Sequence, residues 1–213
     1  MEQNGIFLKK HFILSSKDHP GKLSALAYTD VMKCNLSCYK CHNKYSGDKD
    51  LERCSERYAI DRLKGFAKIG CELIIISGGE PTLFTEELIE ILPKIRKFLP
   101  VRIDSNGTNP ESISRLKNLV DGFAIDIKIP AIFRESDRSR YKEILGIEDV
   151  DFYIEKVLES VSIVDGMPYS LFRTVEYPLL MKEDKLWIRE YVKTLQSRHY
   201  FNKFVNFEDG GKM

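Results

Sequence analysis

Apolar runs that alternate with amphipathic segments dominate the chain and predict strands that alternate with helices. The clearest run is Cys71–Ser77, which contains a continuous aliphatic stretch, as in a parallel strand buried on both faces. Further strands are predicted at Leu23–Thr29, Val101–Asp104, Phe123–Ile129, Tyr169–Tyr177 and Phe201–Phe207, and the opening segment Ile6–Leu14 is interpreted as another.

Between these runs, apolar residues recur at the spacing of a helix face. Helices are predicted at Tyr58–Ile69, from about Thr82 onward, at Ser112–Leu119, at Val150–Val164 and at Leu186–Leu195. Two segments do not follow the pattern. Asn43–Glu56 is polar and is predicted to be an exposed loop, whereas Ala131–Ile147 is charged and is predicted to be irregular in part.

The alternation of strand and helix predicts right-handed βαβ units and therefore a parallel sheet. About six strands are too few to close the eight-stranded (β/α) barrel. We therefore expect an α/β fold of the open, partial (β/α)6 barrel type, formed by a single domain over residues 1–213. In such sheets, ligands bind beyond the carboxyl ends of the strands.

Composition narrows the class of protein without identifying a function. The chain has 213 residues, of which 43% are hydrophobic and 31% charged, as is ordinary for a globular protein with one sizeable core. Its 33 basic and 32 acidic residues give a net charge of +1, which provides no general attraction to nucleic acid or to a membrane. The polar start Met1–Gly5 lacks the apolar core of a signal peptide, so we expect a cytoplasmic protein.

Three cysteines, Cys34, Cys38 and Cys41, follow a predicted strand with the spacing C-x3-C-x2-C. Soft thiolate ligands on one short loop select iron–sulfur or zinc. Because no fourth cysteine lies nearby, a four-iron cluster on this loop would keep one iron open to another ligand. The alternatives are a zinc site completed by His42, although adjacent Cys41 and His42 tend to point apart, and reduced thiols without a metal.

Other candidate residues follow the predicted strands and should meet the cysteine loop at the same edge of the sheet. Gly78 and Gly79 would let the backbone approach a ligand closely, and Glu80 could accept a hydrogen bond from a ligand ammonium group, unless this is an ordinary βα turn. Asp104 and Asp126 end neighbouring strands, which suggests a cation or hydroxyl ligand. Alternatively, each carboxylate caps the next helix.

The cysteine spacing, followed by a strand that ends in Gly-Gly-Glu-Pro, resembles the radical S-adenosylmethionine (SAM) superfamily. Within it, further motifs resemble the activating enzymes of glycyl-radical proteins, in particular those of anaerobic ribonucleoside-triphosphate reductase. These motifs are Asp18-His19-Pro20-Gly21-Lys22, Cys41-His42-Asn43, Asp104-Ser105-Asn106-Gly107, Ala124-Ile125-Asp126-Ile127-Lys128 and Phe172-Arg173-Thr174-Val175. The similarity spans Asp18 to Leu195, which is most of the chain.

The resemblance implies that Cys34, Cys38 and Cys41 hold a [4Fe-4S] cluster whose open iron is chelated by SAM. One electron would then cleave SAM to methionine and a 5′-deoxyadenosyl radical, which abstracts hydrogen from the substrate. The expected substrate is a glycyl-radical protein, most specifically an anaerobic ribonucleotide reductase, with a flavodoxin or ferredoxin-type electron donor. No nucleic acid and no membrane are expected as partners.

The resemblance also implies a set of cofactor-binding residues, namely Gly78, Gly79, Glu80, Asp104, Ser105, Asn106, Asp126 and Arg173. The first three would contact the methionyl ammonium group. Asp104, Ser105 and Asp126 would lie near the ribose or a monovalent cation, with Arg173 as a donor. One departure concerns the adenine, because Lys40 stands directly before the third cysteine, where the family usually has an aromatic residue.

Two other functions compete with the activase. One is a radical SAM enzyme of a small molecule, such as a 7-carboxy-7-deazaguanine synthase. The other is a non-enzymatic cluster or zinc module, which Gly-Gly-Glu-Pro and the rim carboxylates disfavour. For a protein substrate, the charged segment Arg134–Glu143 is a candidate docking surface, with a solvated loop as the alternative.

Overall fold

A computed structural model describes residues 4–45 and 51–206, in which strands and helices alternate. The strands are β1 (Asn4–Ser15), β2 (Ser24–Thr29), β3 (Arg53–Ser55), β4 (Leu73–Ser77), β5 (Val101–Ser105), β6 (Gly122–Asp126), β7 (Leu171–Glu176) and β8 (Arg198–Lys203). The α-helices are α1 (His42–Tyr45), α2 (Glu56–Lys68), α3 (Thr85–Ile95), α4 (Pro110–Leu116), α5 (Arg138–Leu145), α6 (Val150–Val164) and α7 (Lys182–Val192). Short 3-10 helices cover Pro81–Phe84, Lys117–Leu119 and Glu135–Asp137.

All eight strands belong to one open sheet in the order β3-β1-β2-β4-β5-β6-β7-β8. From β2 to β8, each neighbouring pair in this order is parallel. The predicted parallel sheet of an unclosed (β/α)6 barrel is therefore confirmed. At one edge, β1 and β3 extend it with antiparallel pairs. No helix within the described residues is long and apolar enough to cross a membrane.

Strand β4 is buried on both faces, as its aliphatic run predicts. Ile74 and Ile76 belong to the large apolar core shared with the surrounding helices, whereas Leu73 and Ile75 form a separate cluster with Leu26 on the other face of the sheet. All four β4 side chains are fully buried. Truncating any of them to Ala is expected to cost about 2–5 kcal/mol of folding free energy, because a cavity would remain.

The amino-terminal end of the barrel is closed by a polar contact with a buried arginine. Arg102, in β5, has no exposed surface and donates to the carbonyl oxygen of Asp18 at 3.0 Å. Its guanidinium also lies 3.1 Å from Nδ1 of His19. Burial, followed by the charge of Arg102, lowers the pKa of His19. His19 therefore has a structural position at the end of the sheet opposite the cysteine loop.

Three segments differ from their predictions. Asn43–Glu56 contains β3, whose Cys54 is buried beside β1, while residues 46–50 lie outside the described residues. Ala131–Ile147 is more regular than predicted, because it forms α5 after a 3-10 turn. The final strand spans Arg198–Lys203, earlier than predicted, and Phe207 lies outside the described residues.

Candidate active site

A cavity of about 370 Å³ lies at the carboxyl ends of the parallel strands. Its lining includes every predicted site residue except Glu80, namely Cys34, Cys38, Cys41, Gly78, Gly79, Asp104, Ser105, Asn106, Asp126 and Arg173. The structure thus brings together three cysteines and residues that lie in, or directly after, β4, β5, β6 and β7. The volume is within the range of small-molecule sites, roughly 300–1,000 Å³.

The cysteine loop is attached to the barrel from two sides. On one side, the amide of Glu80 donates to the carbonyl of Lys33 at 2.8 Å. On the other, the amides of Ser37 and Tyr39 donate to the carbonyls at the end of α5, those of Leu145 and Ile144, at 3.2 and 3.0 Å. These backbone bonds fix the loop before and between its cysteines.

Gly78 and Gly79 have a packing role that sequence reasoning did not find. A Cβ atom on Gly79 would collide with the carbonyl of Lys33, and one on Gly78 would collide with Thr29. The turn therefore lies directly against the chain that leads into the cysteine loop. The side-chain amide of Asn43 donates to the carbonyl of Gly78, which links the turn to the residues after the third cysteine.

Glu80 does not lie at the rim of the cavity, where the sequence analysis expected it. Its side chain is fully buried, with one oxygen accepting from Thr82 and from the Ser105 hydroxyl at 2.8 Å. The other oxygen accepts from the amide of Asn106 at 2.7 Å. Burial raises the pKa of Glu80, although these hydrogen bonds act in the opposite direction. In this geometry Glu80 holds Ser105 and Asn106 in place from the side away from the cavity, and its contact with a ligand ammonium group stays a prediction.

Asn106 connects the end of β5 to the cysteine loop. Its side-chain amide donates to Oδ1 of Asn35 at 2.8 Å and lies 3.6 Å from the sulfur of Cys34. Asn35 in turn donates to the hydroxyl of Thr108 at 2.6 Å. Hydrogen bonds to a ligating sulfur are one of the means by which proteins set the potential of a cluster.

Charged residues cover the cavity wall formed by β5, β6 and β7. Asp104 and Asp126 project from β5 and β6, and Arg173 projects between them from β7. Lys128 donates to Asp126 at 3.0 Å. Burial opposes ionisation of Asp126, but the charges of Lys128 and Arg173 outweigh it and lower its pKa to about 2. Both carboxylates are paired with protein cations.

The cysteines fit an iron–sulfur cluster better than they fit a single ion. Cys34, Cys38 and Cys41 line the same cavity together with His42. A cluster does not require convergence on one point, since each thiolate binds a different iron. Burial raises the pKa of Cys34 and Cys38, that of Cys38 to about 11, so these thiols need a metal to ionise at neutral pH.

Several lining residues were not assigned to the site by the sequence analysis, although Asp18, Asn43 and Lys128 belong to motifs that it quoted. Others are Tyr28, Tyr177, Asn202 and Phe204. Tyr177 and Lys128 come shortly after β7 and β6. This position after a buried strand is the sequence feature from which they could have been predicted to line the site. Phe204 lies beyond β8, with its ring centre 6.0 Å from that of Tyr39 and 5.9 Å from that of Tyr177. Aromatic surface is therefore present beside Lys40, although it comes from distant segments.

The chain is similar to known proteins over most of its length. The Radical SAM superfamily model matches residues 30–177. A protein of Methanocaldococcus jannaschii, provisionally named a glycyl-radical enzyme activating enzyme, is 34% identical over 189 residues, which cover 86% of this chain and 72% of that protein. A 7-carboxy-7-deazaguanine synthase of Geobacter sulfurreducens is 26% identical over 190 residues, which cover 72% of this chain and 76% of that enzyme.

Among solved structures, TYW1 with a lysine–pyruvate adduct bound matches with a TM-score of 0.60 and 17% identity, covering 89% of this chain and 68% of that one. At this identity the likeness shows the fold alone. The family match includes the cysteine loop, the Gly-Gly-Glu-Pro turn and both rim aspartates. With its cysteines facing a cavity at the carboxyl ends of the strands, the chain belongs to the radical SAM superfamily.

Proposed function

We propose that this radical SAM enzyme generates a glycyl radical on a partner protein. The observation that carries the proposal is its 34% identity, over most of both chains, to the protein of M. jannaschii whose provisional name gives that activity. The partner would be a glycyl-radical enzyme, and we propose an anaerobic ribonucleotide reductase, on the motifs that the sequence shares with the activases of that enzyme. A flavodoxin or ferredoxin-type protein would supply the electron.

Cys34, Cys38 and Cys41 would hold a [4Fe-4S] cluster, and SAM would occupy the adjoining cavity. When bound, the reduced cluster and SAM together supply the carbon-centred radical that abstracts hydrogen. The chain contributes a wall of fixed polar groups. Ser105 and Asn106, oriented by Glu80, would face SAM beside the cysteine loop, and Lys128 and Arg173 would attract a carboxylate group.

The open barrel leaves space for a segment of a macromolecular substrate to enter. The sheet does not close, since β3 and β8 are its two edges. A backbone glycine must enter with the residues on either side of it, which requires an open flank more than a closed pocket. Its Cα radical would be stabilised by the two flanking amide groups. The net charge of +1 leaves recognition to local shape and contacts.

The segment Arg134–Glu143, the candidate docking surface, has part of its charge in ion pairs within the chain. Arg138 pairs with Glu135 and Asp151 at 2.6 and 2.8 Å, and Arg140 pairs with Asp137 and Asp184. Arg134 and Glu143, at the two ends of the segment, are exposed, so the segment stays a candidate docking surface.

The test is to reconstitute the protein with iron and sulfide under anaerobic conditions, reduce it, and add SAM and a candidate glycyl-radical protein. We expect a glycyl doublet by electron paramagnetic resonance, with one 5′-deoxyadenosine formed per radical. Cys38→Ala enzyme, and a partner whose target glycine is replaced by Ala, are the matched controls. Absence of the doublet with every glycyl-radical protein encoded alongside this chain would contradict the proposal.

A small-molecule reaction is the second candidate, favoured by the 26% identity to a 7-carboxy-7-deazaguanine synthase over most of both chains. The same reconstituted enzyme would then turn over a pterin substrate in the absence of any protein partner. Cleavage of SAM that is stimulated by the pterin and not by a glycyl-radical protein would decide for this candidate.

A further inference from the structure

The guanidinium group of Arg173 occupies the space between the two rim carboxylates. Its Nη1 donates to Oδ2 of Asp104 at 2.8 Å, and its Nε donates to Oδ1 of Asp126 at 3.1 Å. The three residues come from adjacent strands, with Asp126 and Arg173 directly paired in register. Arg173 is largely buried, with 18% of its side chain exposed, so the pairing is protected from screening by water.

The remaining carboxylate oxygens also have cationic donors. Oδ1 of Asp104 accepts from Nε of Arg102 at 2.8 Å, and Oδ2 of Asp126 accepts from Lys128 at 3.0 Å. Each carboxylate therefore contacts two positively charged side chains. Arg102, Lys128 and Arg173 therefore supply a cationic donor to every oxygen of Asp104 and Asp126. An added metal cation would find no free carboxylate oxygen on these two residues, although Asp18 also lines the cavity.

The resemblance to glycyl-radical activases raised a monovalent cation at Asp104 and Asp126, and these residues do not fit one. We propose that Arg173 is a built-in replacement for that cation. It pairs with both carboxylates, holds them in position beside the cavity, and makes this site independent of added K⁺ or Na⁺. Arg173 is in this respect a positioning residue. The inference concerns the folded chain and applies to either candidate substrate.

Removal of the guanidinium should convert the same position into a cation site. Arg173→Ala leaves Asp104 and Asp126 facing a space vacated by a positive charge, while Arg102 and Lys128 still contact one carboxylate each. A small cation such as K⁺ or Na⁺ can enter this space, whereas tetramethylammonium is too large and offers no coordination. The stability of the variant should therefore depend on the presence of K⁺ or Na⁺, whereas that of the natural protein should not.

The experiment compares the thermal midpoint of the reconstituted full-length protein in KCl, NaCl and tetramethylammonium chloride at equal ionic strength. We expect the natural protein to have the same midpoint in all three salts. Arg173→Ala should melt lower in tetramethylammonium and rise by about 2–4 °C or more in K⁺ or Na⁺, as expected when an ion binds the folded state. Broadening of the ²³Na resonance by the variant, and not by the natural protein, is a second readout.

Two control variants separate this effect from a general loss of an ion pair. Arg138→Ala also removes an arginine that bridges two carboxylates, those of Glu135 and Asp151, but on the surface, so its midpoint should not distinguish K⁺ from tetramethylammonium. Arg173→Lys keeps one positive charge and should restore indifference to the salt. If Arg173→Ala does not fold, Arg173→Gln keeps most of the side-chain volume and is tested in its place.

Two results would overturn the inference. One is a natural protein whose midpoint or SAM cleavage falls when K⁺ and Na⁺ are replaced by tetramethylammonium, because the site would then need a metal cation despite Arg173. The other is a folded Arg173→Ala or Arg173→Gln protein that does not distinguish the salts and leaves the ²³Na resonance unchanged. Both results are independent of whether a glycyl radical forms on a partner.

Discussion

Two glycines, on opposite sides of the cysteine loop, allow a neighbouring part of the chain to pack closely against the loop backbone. Gly79 follows β4 and lets the turn lie against the carbonyl of Lys33, while Gly146 ends α5 and lets that helix lie against Ser37. In both places a Cβ atom would collide with backbone of the loop. Only Gly79 belongs to a motif that can be recognised in the sequence.

The turn at Gly79 and helix α5 both support the cysteine loop, but different interactions hold the turn and the helix in place. The Gly79 turn is part of the sheet, because β2 and β4 are hydrogen-bonded neighbours and the turn amides reach the chain after β2. Helix α5 is fastened to α7 by a buried charge instead. Asp184 accepts from the hydroxyl of Tyr141 at 2.5 Å and pairs with Arg140. One side of the loop is therefore secured by backbone bonds, and the other depends on a carboxylate that can titrate.

The largest effect is expected from Gly79→Ala. The added methyl group meets a backbone carbonyl that cannot rotate away, so we expect a loss of about 3 kcal/mol in folding free energy, at the upper end of overpacking costs. Iron bound after anaerobic reconstitution should fall to background, as measured by iron analysis and absorption. Gly65→Ala in α2, where a Cβ has nothing within 4 Å, is the control and should keep its iron.

Gly146→Ala should have the next largest effect. It tests whether α5 supports the cysteine loop. Gly146 has a φ of 65°, and a Cβ there would also collide with Ser37. We expect the loop to shift and reconstituted iron to be lost faster in the presence of a chelator. Gly70→Ala isolates the conformational cost, about 1 kcal/mol, because Gly70 has a φ of 97° but open space around its Cβ position. Equal iron retention in the two variants would show that α5 does not support the loop.

Asp184→Asn should weaken the same support in a way that depends on pH. Burial opposes ionisation, but hydrogen bonds from Arg140 and Tyr141 outweigh it and lower the pKa of Asp184. A lowered pKa means that the carboxylate stabilises the fold above its ordinary pKa of about 3.9 and that this contribution disappears as the pH falls further. Asp184→Asn should therefore cost about 2 kcal/mol at pH 7 and progressively less in acid.

The measurement is urea unfolding of both proteins between pH 7 and pH 3. Asp149→Asn is a suitable control, because an asparagine can still accept the hydrogen bond from the amide of Phe152 that caps α6. A difference between natural protein and Asp184→Asn that stays constant down to pH 3 would rule out the carboxylate as the source of the stabilisation.

The smallest effect is expected from Asn106→Ala, which removes a third, side-chain attachment of the loop. The loss of its hydrogen bond to Asn35 should cost about 1 kcal/mol, and the iron content should stay unchanged. Because the amide also lies beside the sulfur of Cys34, the reduction potential of the cluster should become more negative in a titration followed by electron paramagnetic resonance. An unchanged potential would assign Asn106 to loop packing alone.

The sequence by itself determined the open parallel sheet, the family and the order of strands and helices except for β3 and α5. Aliphatic runs such as Leu73–Ile76 carry this information locally, because a stretch that is apolar on both faces has few other stable conformations than a buried parallel strand. Parallel strands also share one carboxyl edge, which explains why Cys34, Asp104 and Asp126 could be assigned to one site in advance.

Only the tertiary structure decided how these residues contact one another. Whether Glu80 faces a ligand or the protein depends on Ser105 and Asn106, and whether Asp104 is available to a cation depends on Arg173, far away in the chain. The contact between Gly146 and Ser37 is likewise set by the packing of α5. Periodicity and motifs report the burial and backbone preference of a segment, but the partner of a polar side chain is chosen by the folded geometry of all the others.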